Sequence, residues 1–170
     1  ELHLHLEGTL EPDLKLALAR KNGVDIGQST VEEVQATYQF NDLTSFLAVY
    51  YPAMDVLQDE DDFHDLAAAY FERARANGVV RAECFFDPQA HTSRGIAIEA
   101  VIRGYHRAVV EAREAGLSAD LILCFLRDMS AQSALETLQA ALPYKDMFIG
   151  VGLDSDERDN PPTKFAEVFA

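Results

Sequence analysis

Four stretches of the chain are dense in apolar residues and end on polar ones: ELHLHLEG (1–8), VVRAECFFDP (79–88), ADLILCFLR (119–127) and FIGVGLDS (148–155). Their length and their turn-rich flanks predict strands. Between the later three the apolar period changes to that of a helix. Ile98, Val101, Ile102, Tyr105 and Val109 follow the i, i+3, i+4 rule within 95–116. Ser130 is placed to cap a helix over 131–141, and Pro143 lies just beyond its end. Gly78 and Gly116 stand where helices must stop before the next strand.

Strands alternating with helices are the signature of parallel βαβ units, so the fold class expected is α/β. The first connection is different, because residues 12–77 hold several helical patterns where one crossover helix needs far fewer residues. One pattern starts at Pro12 and runs through Leu14, Leu16, Ala17 and Leu18; others fall at 31–38, 43–57 and 60–76. Phe63, Leu66, Ala67, Tyr70, Phe71 and Ala74 form an apolar stripe on the last. This region reads as a helical insertion after the first strand, and insertions at the carboxyl ends of strands tend to cover active sites. The chain closes on PPTKFAEVFA, which predicts the opening of a further helix, with Phe165, Val168 and Phe169 on its buried face.

Size and charge narrow the field. A length of 170 residues suits one domain with one core, and 48% hydrophobic against 25% charged residues is ordinary for a soluble globular protein. No run approaches the roughly 18 apolar residues needed to span a bilayer. No signal segment precedes the first strand, so a cytoplasmic location is expected. The formal net charge of -15 repels phosphate backbones and argues against a nucleic-acid partner. The acidic run DEDD (59–62) suits a helix N-terminus. Cys84 and Cys124 sit inside apolar runs, match no zinc or redox spacing, and read as buried reduced thiols.

The candidate chemistry lies in the first strand. Side chains alternate faces along a strand, so His3, His5 and Glu7 are expected on one face and Leu2, Leu4 and Leu6 on the other. Two neutral imidazoles two residues apart, about 7 Å along the backbone, can converge on one metal ion. Zinc is the first expectation, with iron or another first-row metal open, because imidazole suits several. A hydrogen-bonded histidine pair without metal is the competing reading. A catalytic site typically needs at least three protein ligands, and the other histidines do not supply one. His64 and His106 fall on helices, and His91, in FFDPQAHT, reads as a loop or substrate-side residue.

With these residues in view, ELHLHLEGTLEP followed by a helical insertion resembles the start of the adenosine/adenine deaminase family. FFDPQAHTSRGI, LILCFLRDMS and VGLDSDERDNPPTKF resemble the adenine deaminase branch in particular. The resemblance implies a metal-dependent aminohydrolase built on a TIM-type (β/α)8 barrel, of which this chain holds four strands, the amino-terminal half. It implies that His3 and His5 are metal ligands. The third metal histidine, the proton-donating glutamate, the water-orienting histidine and the metal-binding aspartate of the family match no position here. The resemblance therefore places the proton donor beyond Ala170, expects no catalytic residue within the chain, and expects the chain alone to be inactive. A truncated record of a longer enzyme is favoured over a natural short protein. The chemistry implied is hydrolytic removal of the purine C6 amino group, with adenine giving hypoxanthine and ammonia.

Glu7 bears on substrate, because nucleoside deaminases commonly carry an aspartate here that contacts the ribose. A side chain one methylene longer favours a free base, although enzymes acting on aminodeoxyfutalosine also show this pattern. A capping role for Glu7 stays open beside that. Asp154 and Ser155, in GLDSDE, fall where the family touches the purine edge, and Asp128 stands where LRH is expected. The alternatives are an adenosine or other aminopurine nucleoside deaminase and, from another class, a non-catalytic half-barrel protein with open strand edges.

Overall fold

The computed structural model describes residues 1–170, apart from the side chain of Thr44. Four parallel strands lie in the order of the sequence: β1 (Leu4–His5), β2 (Arg81–Phe86), β3 (Ser118–Leu126) and β4 (Gly150–Asp154). Leu4 pairs with Cys84, Cys84 with Leu121, and Leu123 with Val151. Simple β1-β2-β3-β4 order with helical crossovers is the winding of a (β/α) barrel, carried here through four of its strands.

Between β1 and β2 lie α1 (Pro12–Asn22), α2 (Val31–Ala36), α3 (Leu43–Ala53) and α4 (Glu60–Ala76). Capping boxes open three of them: Thr30 with Glu33, Asp42 with Ser45, and Asp59 with Asp62. The acidic run therefore satisfies orphan backbone donors at the start of α4, as its position suggests. A short helix, α5 (Pro88–Thr92), follows β2 directly, with Pro88 at its first turn. α6 (Ile98–Glu114) and α7 (Ala131–Ala141) make the next two crossovers, and Ser130 caps α7 through the Ser133 amide.

Alternation on the strands decides what faces what. Ala82, Cys84 and Phe86 of β2 are fully buried against the helices, where Phe86 meets Tyr105 at 5.6 Å between ring centroids. Glu83 and Phe85 turn to the opposite, half-buried face. Gly152 faces the same way, since a Cβ there would meet Cys124 Sγ at 2.8 Å. The core lies between the sheet and α4 and α6, with Phe63, Leu66, Val101, Ile102 and Tyr105 wholly buried. Both cysteines are buried and unbridged.

Three local readings change. β1 is two residues long, because a 3₁₀ turn begins at Leu6 (Leu6–Thr9) and breaks the alternation. The residues after β2 that read as a loop form α5 instead. The closing PPTKF segment forms only a 3₁₀ turn, Pro162–Phe165, though it does bury Phe165 and Val168 as expected. Phe169 and Ala170 follow it outside any helix or strand, and both are exposed, so Phe169 does not share the buried face expected of it. No helix among the described residues is long and apolar enough to cross a membrane.

Candidate functional site

The carboxyl ends of the four strands open into a cavity of about 780 Å³. Its floor is His3, His5, Asp87 and Asp154; one wall is α3, through Phe46, Leu47, Tyr50 and Tyr51; Ser155 and Glu157 form the far rim. The helical insertion therefore covers the strand ends, as an insertion at that position suggests.

His3 and His5 share a face as the alternation requires. Their ring centroids are 5.6 Å apart, and both rings rest on Phe85, at 4.9 and 5.1 Å. Phe85 pairs with His5 in register, which is why it lies under both rings. His3 is exposed and His5 half-buried. His5 Nδ1 stands 3.3 Å from Asp154 Oδ2. That carboxylate, by contact and by charge, raises the imidazole above its ordinary value despite partial burial.

Asp87 completes the cluster. It directly follows the last residue of β2, close to the position that Asp154 holds at the end of β4, and it is 2% exposed. Ligand atoms of His5, Asp87 and Asp154 all lie within 4.8 Å of one another. Burial and the neighbouring Glu7 and Asp154 carboxylates push the Asp87 carboxyl well above the usual range. Asp87 Oδ1 and both Asp154 oxygens are buried without a hydrogen-bond partner. Buried carboxylate oxygens left unpaired are costly, and together with imidazoles they suit a divalent cation. The donor set fits a metal at the His3–His5 end of the cavity; mixed imidazole and carboxylate donors suit zinc and also other first-row metals.

Glu7 does not extend the histidine face into the cavity, a correction to the alternation read from the sequence. The 3₁₀ turn rotates it beneath the floor, where its side chain is wholly buried. Its Oε1 accepts from the Asp87 amide at 3.0 Å, His91 Nε2 at 3.1 Å and the Tyr105 hydroxyl at 3.1 Å. His91 is likewise buried, on α5 rather than in an open loop, and edges against Phe63 at 4.7 Å. Arg94 reaches His91 Nδ1 at 3.0 Å and caps the Met54 and Leu57 carbonyls. Sequence reasoning missed Asp87, Arg94 and Tyr105 as members of the site, and missed the buried place of His91. The signal available for Asp87 was an acid closing a strand next to a proline, and it sat in plain view in FFDP.

Ser155 adopts φ 72°, left-handed for a residue with a side chain, and its Oγ accepts from Tyr51 at 2.8 Å. That bond ties α3 to the end of β4. Burial raises the Tyr50 and Tyr51 hydroxyls above their ordinary value, with the Glu7 and Asp87 carboxylates adding to the effect on Tyr50 and the Ser155 bond opposing it on Tyr51. Both phenols therefore stay neutral and form a partly apolar wall.

Four parallel β/α units with imidazoles and carboxylates gathered at the strands' carboxyl ends define the strand-end site of half a (β/α) barrel. The family model for adenosine deaminase matches residues 1–170, and the chain belongs to that family. An adenine deaminase of Geotalea uraniireducens is 56% identical over the whole of this chain and 48% of its own length. One from Rhodospirillum rubrum is also 56% identical, across 51% of its length. The crystal structure of an adenine deaminase from Arthrobacter aurescens superposes with a TM-score of 0.96 at 50% identity, covering 99% of this chain and 52% of that one. A zinc-bound amidohydrolase from Burkholderia ambifaria matches with a TM-score of 0.81 at 29% identity, over 99% of this chain and 47% of that one. The chain thus spans about half the length of the relatives it matches.

Proposed function

We propose that the protein hydrolyses adenine to hypoxanthine and ammonia, using one divalent metal, zinc first and iron second, held by His3 and His5. The observation that carries this reading is the His5, Asp87 and Asp154 cluster on the cavity floor of a chain that is 56% identical along its length to adenine deaminases. When bound, the metal supplies water activated for attack near neutral pH.

The residues of this chain do the rest of the local work. His3 meets Phe85 edge-on and His5 packs on it at a tilt, which holds both imidazoles at one end of the floor as the metal's protein ligands in this reading. Phe46, Leu47 and Tyr50 offer an apolar wall to a flat purine and keep bulk water from the reacting carbon. Ser155 stands on the rim where the ring edge would lie. Glu7 acts from below, by fixing Asp87 in the floor. Protonation of the ring nitrogen belongs, by the family resemblance, to a glutamate with no counterpart between Glu1 and Ala170, so the 170-residue chain by itself is inactive in this reading. The buried acids of this chain do not replace that donor, since Asp87 and Asp154 both lie against His5 at the metal end of the cavity floor. The two buried free thiols support a reducing, cytoplasmic setting.

A larger aminopurine nucleoside is the second reading, favoured by the 780 Å³ volume and by the withdrawal of Glu7 from the cavity. Ammonia release from adenine, adenosine and aminodeoxyfutalosine by the zinc-loaded intact protein separates the two. With a protein that carries the whole barrel, adenine should give the highest kcat/KM; a nucleoside preference selects the second reading, and no release from any of them selects a non-catalytic role.

A further inference from the structure

We propose that Asp154 is a positioning residue for His5: it takes the Nδ1 edge of the ring and so commits Nε2 to the metal shared with His3. The inference rests on the metal-binding part of the reading above, and it gives Asp154 a different task from contact with the purine edge.

The geometry separates the two tasks. A substrate contact needs an oxygen open to the cavity, but both Asp154 carboxylate oxygens are closed to solvent and have no hydrogen-bond partner of normal geometry. His5 faces them with Nδ1 at 3.3 Å from Oδ2, beside the buried Asp87 carboxyl within 4.8 Å and the Cys124 thiol. That distance is long for a hydrogen bond, and a small ring rotation on metal binding closes it, since such bonds tighten when a site is occupied. The imidazole has a second nitrogen on its opposite edge. With Nδ1 turned to β4, Nε2 is the nitrogen left to meet a metal.

The surroundings leave the ring little other freedom. Phe85 supports its face at 5.1 Å, and His3 stands 5.6 Å away on the same side of the sheet. Asp154 is itself fixed by the ladder to Leu126 and by the Arg127 amide, which donates to its carbonyl at 3.0 Å. The sheet thus sets the angle of one ring from two of its strands. A metal-ligating histidine commonly donates its other ring N–H to a carboxylate, which fixes its tautomer and raises its basicity.

The test uses readouts that do not depend on adenine turnover. In metal-free intact protein with labelled histidines, two-bond ¹⁵N–¹H correlation spectra at about pH 8 should show His5 as the Nδ1–H tautomer. Asp154→Asn keeps a carbonyl that accepts this proton and should preserve the tautomer; Asp154→Ala should mix it. Zinc affinity, measured by competition with a chromophoric chelator, should fall by about 10–100-fold in Asp154→Ala and by less in Asp154→Asn. Zinc affinity within twofold of the parent in Asp154→Ala, or an unchanged His5 tautomer, overturns the proposal. So does a changed cobalt(II) absorption envelope in Asp154→Asn, which would make Asp154 a direct ligand. A failed adenine assay with these results intact would remove the substrate reading and leave this one standing.

Discussion

His91 Nε2 lies 3.1 Å from Glu7 Oε1, and both side chains are wholly buried. The protonation pattern follows from the neighbours. Arg94 is only ever a donor, and it points NH2 at His91 Nδ1 at 3.0 Å. Nδ1 must therefore accept, and the ring proton sits on Nε2, donating to Glu7. The Asp87 amide and the Tyr105 hydroxyl donate to the same oxygen. One carboxylate beneath the cavity thus pins the end of β2, the last turn of α5 and the middle of α6.

Removing one donor should reveal how much that anion depends on it. His91→Ala leaves a buried carboxylate short of a partner and opens space beside Phe63, so the loss should be about 3–5 kcal/mol in chemical denaturation. Tyr105→Phe deletes only a hydroxyl and should cost about 1–3 kcal/mol. A His91→Ala loss below that of Tyr105→Phe would contradict the hierarchy.

Glu7→Asp tests the link from this network to substrate choice. The carboxylate is drawn back by one methylene and cannot hold all three donors, so the Asp87 loop at the cavity floor relaxes. The ratio of kcat/KM for adenine to that for adenosine should drop by roughly tenfold, about 1.4 kcal/mol of discrimination. A ratio unchanged within error would confine Glu7 to a structural role.

The sequence patterns carried the architecture because burial imposes period. The helix over 131–141 and the stripe on α4 were legible from apolar spacing, and the four strands were visible as apolar runs closing on polar residues. His3 and His5 were legible as a pair for the same reason. The Glu7 placement was not, since a turn of 3₁₀ helix changes the face of a side chain without changing composition. Asp87 and His91 escaped for another reason. Their partners are 80 and 84 residues away in sequence, and local spacing says nothing about contacts of that range.

The thiols test burial on both faces of the sheet, Cys84 against the helices and Cys124 beside Gly152 on the other side. Burial pushes Cys84 up to about 12, and burial with the Asp154 and Asp87 carboxylates raises Cys124 further still. A reagent that needs thiolate should modify neither in the native protein at about pH 8, and both once denatured. Fast native modification of Cys124 would mean that the β3–β4 floor is open to solvent.

Gly104 tests how tightly the layer behind the site is packed. It sits in α6 where that helix crosses α4, and a Cβ there would meet the Glu60 carbonyl oxygen, Phe63 Cβ at 2.7 Å and the His64 amide at 3.1 Å. The first and last are backbone atoms, so no flexible side-chain end can give way. Gly104→Ala must push the helices apart, against the usual gain of alanine over glycine in a helix, and should destabilise by about 1–3 kcal/mol. Gly150→Ala is the control, since nothing lies within 4 Å of a Cβ there. Because Tyr105 follows Gly104 directly and donates to Glu7, the shift should also reach the cavity floor. Gly104→Ala should therefore weaken zinc binding as well as stability, whereas Gly150→Ala should leave both near the parent; a stable Gly104→Ala with parental zinc affinity would show that α6 does not hold the site in place.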